Sequence, residues 1–322
     1  MAGANLPAKK YKKTSPTITR LSFELSGNTT QFIDIGMALS AINRKFYRAG
    51  VYYYVNSVEV YNNEAGILDL HTLPDTWVTK NAWNRGFQIF QKMNAMTDAP
   101  LTSGLRPKYH DFKIYMSERH KNAGSALPSM HGINASQATI TPDEWVYSQF
   151  VSADDNQDGN ADADEFTCHM IGPHTVQSGS PGAWESIGLI KSYAETRMIP
   201  PNSSPNADMV DITDPLMNLF DFSSEEQLND IAENLLTDND RTPYDINQYV
   251  GESGNHMQHV GRIGTEQGIN RIGRASGFCV PFGLLCVDPS GDGAPGSEIS
   301  SDYRLILNLA VGTYHGVYAE RA

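Results

Sequence analysis

The feature that most constrains the fold is a run near the C-terminal end in which apolar residues occupy every second position. Tyr303, Leu305, Leu307, Leu309 and Val311 follow this rule without a break. Successive side chains of a strand point to opposite faces of a sheet, so this period is typical of a strand with one face in a core. The chain therefore contains at least one half-buried sheet.

Further strands are predicted along the chain. The segment TITRLSFEL alternates Leu21, Phe23 and Leu25 with polar neighbours. Residues 51–61, VYYYVNSVEVY, are rich in β-branched and aromatic side chains. Their apolar phase changes near Asn56, as happens at a β-bulge or in a strand that is covered on both faces. The remaining predicted strands span residues 112–116, 144–151, 166–171, 187–193 and 278–287.

Three isolated helices are predicted from apolar residues at helical spacing. The first follows Asp34 and carries Leu39, Ile42 and Phe46, the second spans 81–96 with Trp83, Phe87 and Phe90 on one face, and the third spans 223–236. Strands outnumber these helices and do not alternate with them, which disfavours a parallel α/β sheet. The predicted fold class is all-β: an antiparallel jelly-roll β-sandwich with helices inserted in its loops.

The length of 322 residues exceeds the size at which one hydrophobic core stops growing, so two packed units are expected. We place a basic N-terminal segment at 1–16, a first domain at 17–140 and a second at 141–322. Residues 1–140 carry 16 Lys and Arg against 9 Asp and Glu, whereas residues 141–322 carry 8 against 28. This asymmetry indicates two electrostatically different surfaces, unless one acidic loop and one acidic helix account for most of it.

The acidic loop has the pattern of a calcium site. Residues 154–165, DDNQDGNADADE, place Gly159 at the tight turn of a twelve-residue calcium loop, and a hard dication requires six to eight oxygen ligands. Ala161 and the strand-like flanks differ from an EF-hand, so we expect a lone loop that joins two strands and holds a structural Ca2+; the alternative is a solvated acidic loop. The predicted ligands are Asp154, Asn156, Asp158, the backbone carbonyl of Asn160, Asp162 and Glu165.

Motifs for catalysis are not found in the sequence. There is no Gly-x-Ser-x-Gly, and His256 and His259 are three residues apart instead of the four that place two imidazoles around zinc. The glycines around Arg262, Arg271 and Arg274 match neither a P-loop nor a dinucleotide motif, so we interpret them as a flexible loop. We therefore expect no enzyme activity and no small-molecule substrate, and a hydrolase that uses His256 or His259 is the least favoured alternative.

Other sequence features point to a protein that stays in the compartment where it is made. No apolar run reaches the length of about 18 residues that a membrane helix requires, and the first residues lack the apolar stretch of a signal peptide. Cys168, Cys279 and Cys286 are too few and too scattered for a disulfide framework or a zinc knuckle, so we expect them to be buried as small apolar residues.

Three segments resemble conserved blocks of capsid proteins from small single-stranded DNA viruses: LSAINRKFYRAG at 39–50, LPDTWVTKNAWNRGF at 73–87 and GLIKSYAETR at 188–197. The resemblance implies a jelly-roll major capsid protein that assembles into an icosahedral shell, is made in the host cytoplasm and is located in the virion. Trp77, Trp83 and Tyr193 would be packing residues. Two jelly rolls per chain are favoured over one, because the length suits them and a long arginine-rich arm is missing.

The partners that follow are further copies of the chain, in trimers or pentamers within the shell, and other virion proteins. The genome or an internal membrane would be contacted by the basic segment at 1–16, which carries four lysines, Lys9, Lys10, Lys12 and Lys13. The alternative from another functional class is a calcium-dependent, lectin-like β-sandwich that binds a surface.

Overall fold

The computed structural model describes residues 17–98, 111–124, 127–130, 145–152, 164–176, 184–197, 249–252, 254, 256–266, 272–290 and 298–321. In chain order the elements are β1 (Arg20–Leu25), β2 (Gln31–Asp34), α1 (Ile35–Asn43), β3 (Val51–Tyr61), β4 (Gly66–Thr72), α2 (Trp77–Asp98), β5 (Tyr115–Ser117), α3 (Glu118–Ala123), β6 (Ser129–Met130), β7 (Gln149–Ser152), β8 (Asp164–Ile171), β9 (Thr175–Val176), β10 (Trp184–Gly188), α4 (Leu189–Arg197), β11 (Gln258–Thr265), β12 (Ile272–Val280), β13 (Leu284–Asp288), β14 (Tyr303–Leu309), β15 (Val311–Tyr314) and β16 (Ala319–Arg321).

Two antiparallel sheets face each other. The first has the strand order β12-β3-β14-β1-β6, with β16 also paired to β3, and the second has the order β11-β4-β13-β2. Their inner faces share one core, to which β1 contributes Phe23, β14 contributes Leu305, β4 contributes Leu68 and β13 contributes Leu285, all fully buried. The predicted antiparallel, all-β sandwich is therefore confirmed, and we refer to these two sheets as the sandwich.

The sandwich combines strands from both halves of the chain. β1 pairs with β14, and β3 pairs with β12, so each pair joins a strand before residue 140 to one after it. The second sheet is mixed in the same way, because β4 pairs with both β11 and β13. The expected boundary between 17–140 and 141–322 thus does not separate these sheets.

A third sheet lies in the chain between β4 and β11. Its strand order is β5-β8-β10-β9, with β7 also paired to β8, and the pairs β5–β8 and β8–β10 are parallel. Helices α2 and α4 pack against it around a second core that includes Trp83, Phe112 and Ile190. We call the described part of 73–257, apart from β6, the insertion; its parallel pairs depart from the purely antiparallel expectation.

Several local predictions are confirmed. β1 and β14 bury every second side chain as expected, and β3 contains the predicted irregularity, because its register with β14 shifts between the partners Ser57 and Val55. Helix α2 contains the predicted 81–96 segment but begins at Trp77. Trp83 is buried, and Phe87 and Phe90 pack partly buried against the same core.

Three local predictions need correction. Helix α1 begins after its cap Asp34, whose carboxylate accepts from the Met37 backbone N–H, but it ends at Asn43, so Phe46 lies in the following loop. The predicted strand at 187–193 is mostly helix α4, because Ile190 and Ala194, one helical turn apart, are both fully buried. The predicted glycine-rich loop forms β11 and β12 in its described part. The predicted helix at 223–236 lies outside the described residues.

Candidate functional site

The predicted calcium loop lies at the end of a hairpin in the insertion. β7 and β8 are antiparallel, and Ser152 is the partner of Asp164, so residues 153–163 join two adjacent strands as expected. Glu165, the last predicted ligand, is on β8 with an exposed side chain. The other five predicted ligands, Asp154, Asn156, Asp158, Asn160 and Asp162, lie outside the described residues.

A hairpin of this kind fits a loop site, because the paired strand ends bring both ends of the acidic segment together. Among the residues that the structure describes, no group of three or more His, Cys, Asp or Glu side chains is arranged to hold a metal. That result covers only Glu165 of the six predicted ligands. The four lysines at 9–13 also lie outside the described part of the chain.

Two residues singled out from the sequence, His259 and Arg262, meet on the outer side of the second sheet. Both lie on the edge strand β11 and converge on Asp69 of β4. The Arg262 guanidinium donates from Nε to Asp69 Oδ1 at 2.8 Å and from Nη2 to Oδ2 at 2.9 Å. His259 Nε2 lies 3.1 Å from Asp69 Oδ1, and the His71 ring packs edge-on against the His259 ring. The sequence analysis missed Asp69 and His71.

The electrostatics of this cluster favour a charged carboxylate. Burial alone would raise the pKa of Asp69, but the hydrogen bonds from Arg262 and His259 outweigh it and hold that pKa below its usual value. Burial and the neighbouring His259 lower the pKa of His71. Since both oxygens of Asp69 already accept hydrogen bonds, the cluster is suited to holding the edge strand β11 against β4 rather than to acid–base chemistry.

The other residues of these two motifs are not part of the cluster. His256 precedes β11, and its backbone N–H donates to the Gly254 carbonyl at 2.8 Å. Arg274 lies on β12 in the first sheet, 3.7 Å from the carboxylate of Glu59, and Arg271 is outside the described residues. Arg262 and Arg274 therefore belong to different sheets and do not form a phosphate cradle together.

A buried histidine–serine pair was not found from the sequence. His169 Nδ1 lies 2.7 Å from Ser186 Oγ, and its Nε2 lies 2.9 Å from the Pro173 carbonyl oxygen. Because the carbonyl can only accept, Nε2 carries the proton and Nδ1 accepts from the serine hydroxyl. Such a pair can serve as nucleophile and base, but both side chains are fully buried, and burial lowers the pKa of His169 to about 4. The pair joins β8 to β10 and is closed to a substrate.

The segments at 39–50, 73–87 and 188–197 are linked by contacts where the insertion packs on the sandwich. A methyl group at Gly50 of the first segment would overlap the ring of Trp83 in the second. One at Gly86 would lie 3.1 Å from Leu189 of the third. The rings of Trp77 and Tyr193 are in edge contact at 6.3 Å. The blocks are far apart in the chain, so their convergence indicates a shared packing role.

Comparison of the chain with family models, with curated proteins and with solved structures gives no match. Among the described residues, no helix combines the length and the apolar character needed to cross a membrane.

Proposed function

We propose that the chain is a structural shell protein: the major capsid protein of a small single-stranded DNA virus, which assembles with copies of itself around the genome and is not an enzyme. The observation that carries this proposal is the pairing of eight strands in the sandwich. In chain order these strands are β1 to β4 and β11 to β14.

The eight strands pair like a single long hairpin that has been rolled up. The first pairs with the last (β1–β14), the second with the seventh (β2–β13), the third with the sixth (β3–β12) and the fourth with the fifth (β4–β11). The four pairs are shared between the two facing sheets. This pairing supports a jelly-roll path, which viral shell proteins use repeatedly.

One roll per chain accounts for this arrangement better than the two favoured from the sequence. All eight strands of the path are used once, and the insertion interrupts the path between the fourth and fifth strands, β4 and β11. The length that suggested two rolls is thus divided between one roll and its insertion.

The fold alone does not separate a shell protein from a lectin, since both use jelly rolls. The three capsid-like segments favour the shell, because they converge on one packing junction around Trp83. We also propose that the acidic hairpin loop holds a structural Ca2+. The lysines at 9, 10, 12 and 13 would face the interior polyanion.

Assembly is the decisive test. The purified full-length chain should elute from size-exclusion chromatography as trimers, pentamers or larger species, and negative-stain images should show closed particles. A chain that stays monomeric across a wide range of protein and salt concentrations contradicts the proposal, and glycan binding that requires calcium would favour the lectin-like alternative. Trypsin treatment of intact particles then tests the N-terminal segment: cleavage within the first 13 residues before disruption would place that segment outside.

A further inference from the structure

Three segments meet at one end of the first sheet: residues 17–20, 43–50 and 310–319. Thr17 Oγ1 donates to the His315 carbonyl at 2.7 Å and accepts from Lys45 Nζ at 3.0 Å. The Asn43 side chain makes two hydrogen bonds with the backbone of Ile18, at 2.8 and 3.0 Å. The basic stretch at residues 9–13 precedes Thr17 by only a few residues, so the chain enters the sandwich at this end.

The charged residues within these three segments are all of one sign. The three segments contain Arg20, Arg44, Lys45, Arg48 and His315 but no Asp or Glu, in a chain whose net charge is -13. Arg20 lies 3.3 Å from Glu59, and Arg44, Lys45 and Arg48 lie in the loop between α1 and β3. We call residues 44–48, RKFYR, the basic loop. Its Arg44 and Arg48 side chains are exposed.

An aromatic ring lies among these cations. Phe46 is only partly buried, and the Arg48 guanidinium is 6.0 Å from the centre of its ring. Lys113 belongs to the insertion, and its ammonium group lies 6.0 Å from the centre of the same ring and 4.1 Å from that of the Trp145 ring. Proteins that bind single-stranded nucleic acid combine cations for the phosphates with aromatic rings on which bases stack.

The backbone of the basic loop is held in place from behind. The Tyr47 hydroxyl donates to the His315 carbonyl at 2.9 Å, and the Tyr53 hydroxyl donates to the Arg48 carbonyl at 2.7 Å. The Arg48 N–H donates to the Tyr314 hydroxyl at 3.0 Å. The cations therefore project from a fixed surface, which reduces the ordering cost of binding.

The acidic groups nearest the basic loop face away from solvent. Asp111 is buried behind the loop, and its Oδ2 accepts from the Ala49 N–H at 2.8 Å. Asp34 is also buried, at the cap of α1. Both carboxyl groups are therefore withdrawn from the surface that the loop presents.

We propose that the basic loop, with His315 beside it, is a binding surface for single-stranded nucleic acid. The assignment deepens the proposed function, since the ligand would be the packaged genome. A single strand is favoured over a duplex because the partly buried ring of Phe46 can stack with an unpaired base. It is favoured over an anionic lipid surface because the loop is small and rigid and carries no apolar side chain other than Phe46 and the buried Tyr47.

The test measures binding of a fluorescent single-stranded DNA oligonucleotide by the full-length, unassembled chain across a range of salt concentrations. The triple variant Arg44→Gln, Lys45→Gln, Arg48→Gln should flatten the slope of log affinity against log salt by about 2, because each phosphate contact to a single strand contributes about 0.7. At 0.1 M salt this corresponds to binding that is roughly 100-fold weaker. The charge-preserving variant Arg44→Lys, Lys45→Arg, Arg48→Lys should retain the slope.

A matched control removes the same charge elsewhere. Arg262, Arg274 and Arg304 lie on the two sheets beside carboxylates, at 2.8 Å from Asp69, 3.7 Å from Glu59 and 2.6 Å from Glu24 respectively. Changing these three arginines to Gln should leave binding close to that of the wild type. Phe46→Leu, which keeps an apolar side chain against the core, should weaken binding about fivefold or more through lost stacking.

Several outcomes would overturn the inference. They are a wild-type chain that does not bind the oligonucleotide, equal losses in the Gln variant of the basic loop and in the Gln variant of the three control arginines, and preferential binding to duplex DNA or to anionic phosphatidylserine vesicles. Thermal melting checks that each variant is folded. If the Gln variant of the basic loop is unfolded, binding by the charge-preserving variant and by Phe46→Leu tests the loop instead. A chain that forms shells without loop-dependent binding removes this inference alone. A chain that binds through the loop but never assembles keeps it and removes the proposed function.

Discussion

The sandwich and the insertion build their cores from different materials. The core of the sandwich consists largely of aliphatic side chains at alternate positions of strands, such as Leu21, Val58 and Leu307. The core of the insertion is rich in rings, and Phe112 contacts both Trp83 and Phe150. Alternation along paired strands is enough to define the first core, whereas the second depends on helices that cover a short mixed sheet.

The second core is also not self-contained. It includes Phe32 of β2, Tyr52 of β3 and Cys286 of β13, which belong to strands of the sandwich. Trp83 and Tyr52 both contact Phe282, in the turn between β12 and β13. The insertion therefore covers surface that the sandwich would otherwise expose, and the two regions should unfold together.

The largest effects should come from removing one ring from each core. Phe23 in the sandwich and Phe112 in the insertion are both fully buried, so Phe23→Ala and Phe112→Ala should each lower the free energy of unfolding by about 3–5 kcal/mol. Denaturant unfolding followed by circular dichroism and by tryptophan fluorescence should show one shared transition for both variants. A separate, earlier transition in Phe112→Ala alone would show that the insertion folds independently and would break the comparison.

The next effect concerns the junction between the two regions. Asp34 caps α1 in the sandwich and is buried beside Lys113 of the insertion, and burial, opposed by hydrogen bonds and by Lys113, raises its pKa to about 7. An acid whose folded pKa is raised favours the folded state when it is protonated. Its contribution to stability is therefore complete below about pH 4 and is lost as the pH rises through 7.

Asp34→Asn should remove this dependence, because the amide oxygen can still accept from the Met37 N–H. We expect the variant to match the wild type near pH 4 and to be more stable by roughly 2–4 kcal/mol at pH 8. Lys113 and Asp111 act electrostatically on Asp34, and Asp34 acts on Tyr53 and Tyr147. Burial raises the pKa of Asp111, which is a second carboxyl group that can contribute to the same pH dependence. Asp111→Asn is therefore the control, and a pH profile that Asp34→Asn leaves unchanged would assign the dependence elsewhere.

The sequence predicted the sandwich better than the insertion, for a physical reason. The period of two in β14 and in β1 shows which side chains face a core. This period was sufficient to predict the fold class and the positions of these strands in the sequence. The prediction of a strand at 187–193, which contains Ile190, was wrong because a short apolar run has no clear period, and most of this segment is helix. The glycines of β11 and β12 gave no indication of strands. These strands form because they pair with β4 and β3, which are distant in the chain.

The candidate sites show the same limit. The spacing of His259 and Arg262 gave no indication of Asp69, because the three residues meet only when β11 pairs with β4. The pair His169 and Ser186 likewise forms only when β8 and β10 lie side by side. The basic loop, by contrast, is continuous in the sequence, but its convergence with residues 17–20 and 310–319 required the fold.

A smaller effect is expected where the sandwich and the insertion touch through a glycine. A Cβ at Gly50 would overlap the Trp83 ring, so Gly50→Ala should displace α2 and cost about 1–3 kcal/mol in stability. Gly264 on β11 is the matched control, because a Cβ there has no atom within 4 Å. Thermal melting compares the two variants. Equal, small shifts would mean that the junction relaxes easily and that the two cores are less tightly coupled than their contacts indicate.

The smallest effect is expected from calcium, and it should distinguish the insertion from the sandwich. The acidic loop joins β7 to β8, so a bound ion would hold together a hairpin of the insertion and touch no strand of the sandwich. At a calcium concentration ten times the dissociation constant, binding stabilises the folded chain by about 1.4 kcal/mol. A chelator should therefore lower the melting temperature of the wild type by a few degrees, and Asp158→Ala should abolish that sensitivity. Asp155→Asn, at a position that the twelve-residue pattern does not use as a ligand, should preserve it.

Hydrogen exchange shows where in the fold the ion acts: chelation should speed exchange of locally opening amides in β7 and β8 before it affects β1 and β14. If the chelator leaves both the melting temperature and the exchange of the wild type unchanged, the acidic loop is a solvated one, and the stability of the insertion rests on its aromatic core alone.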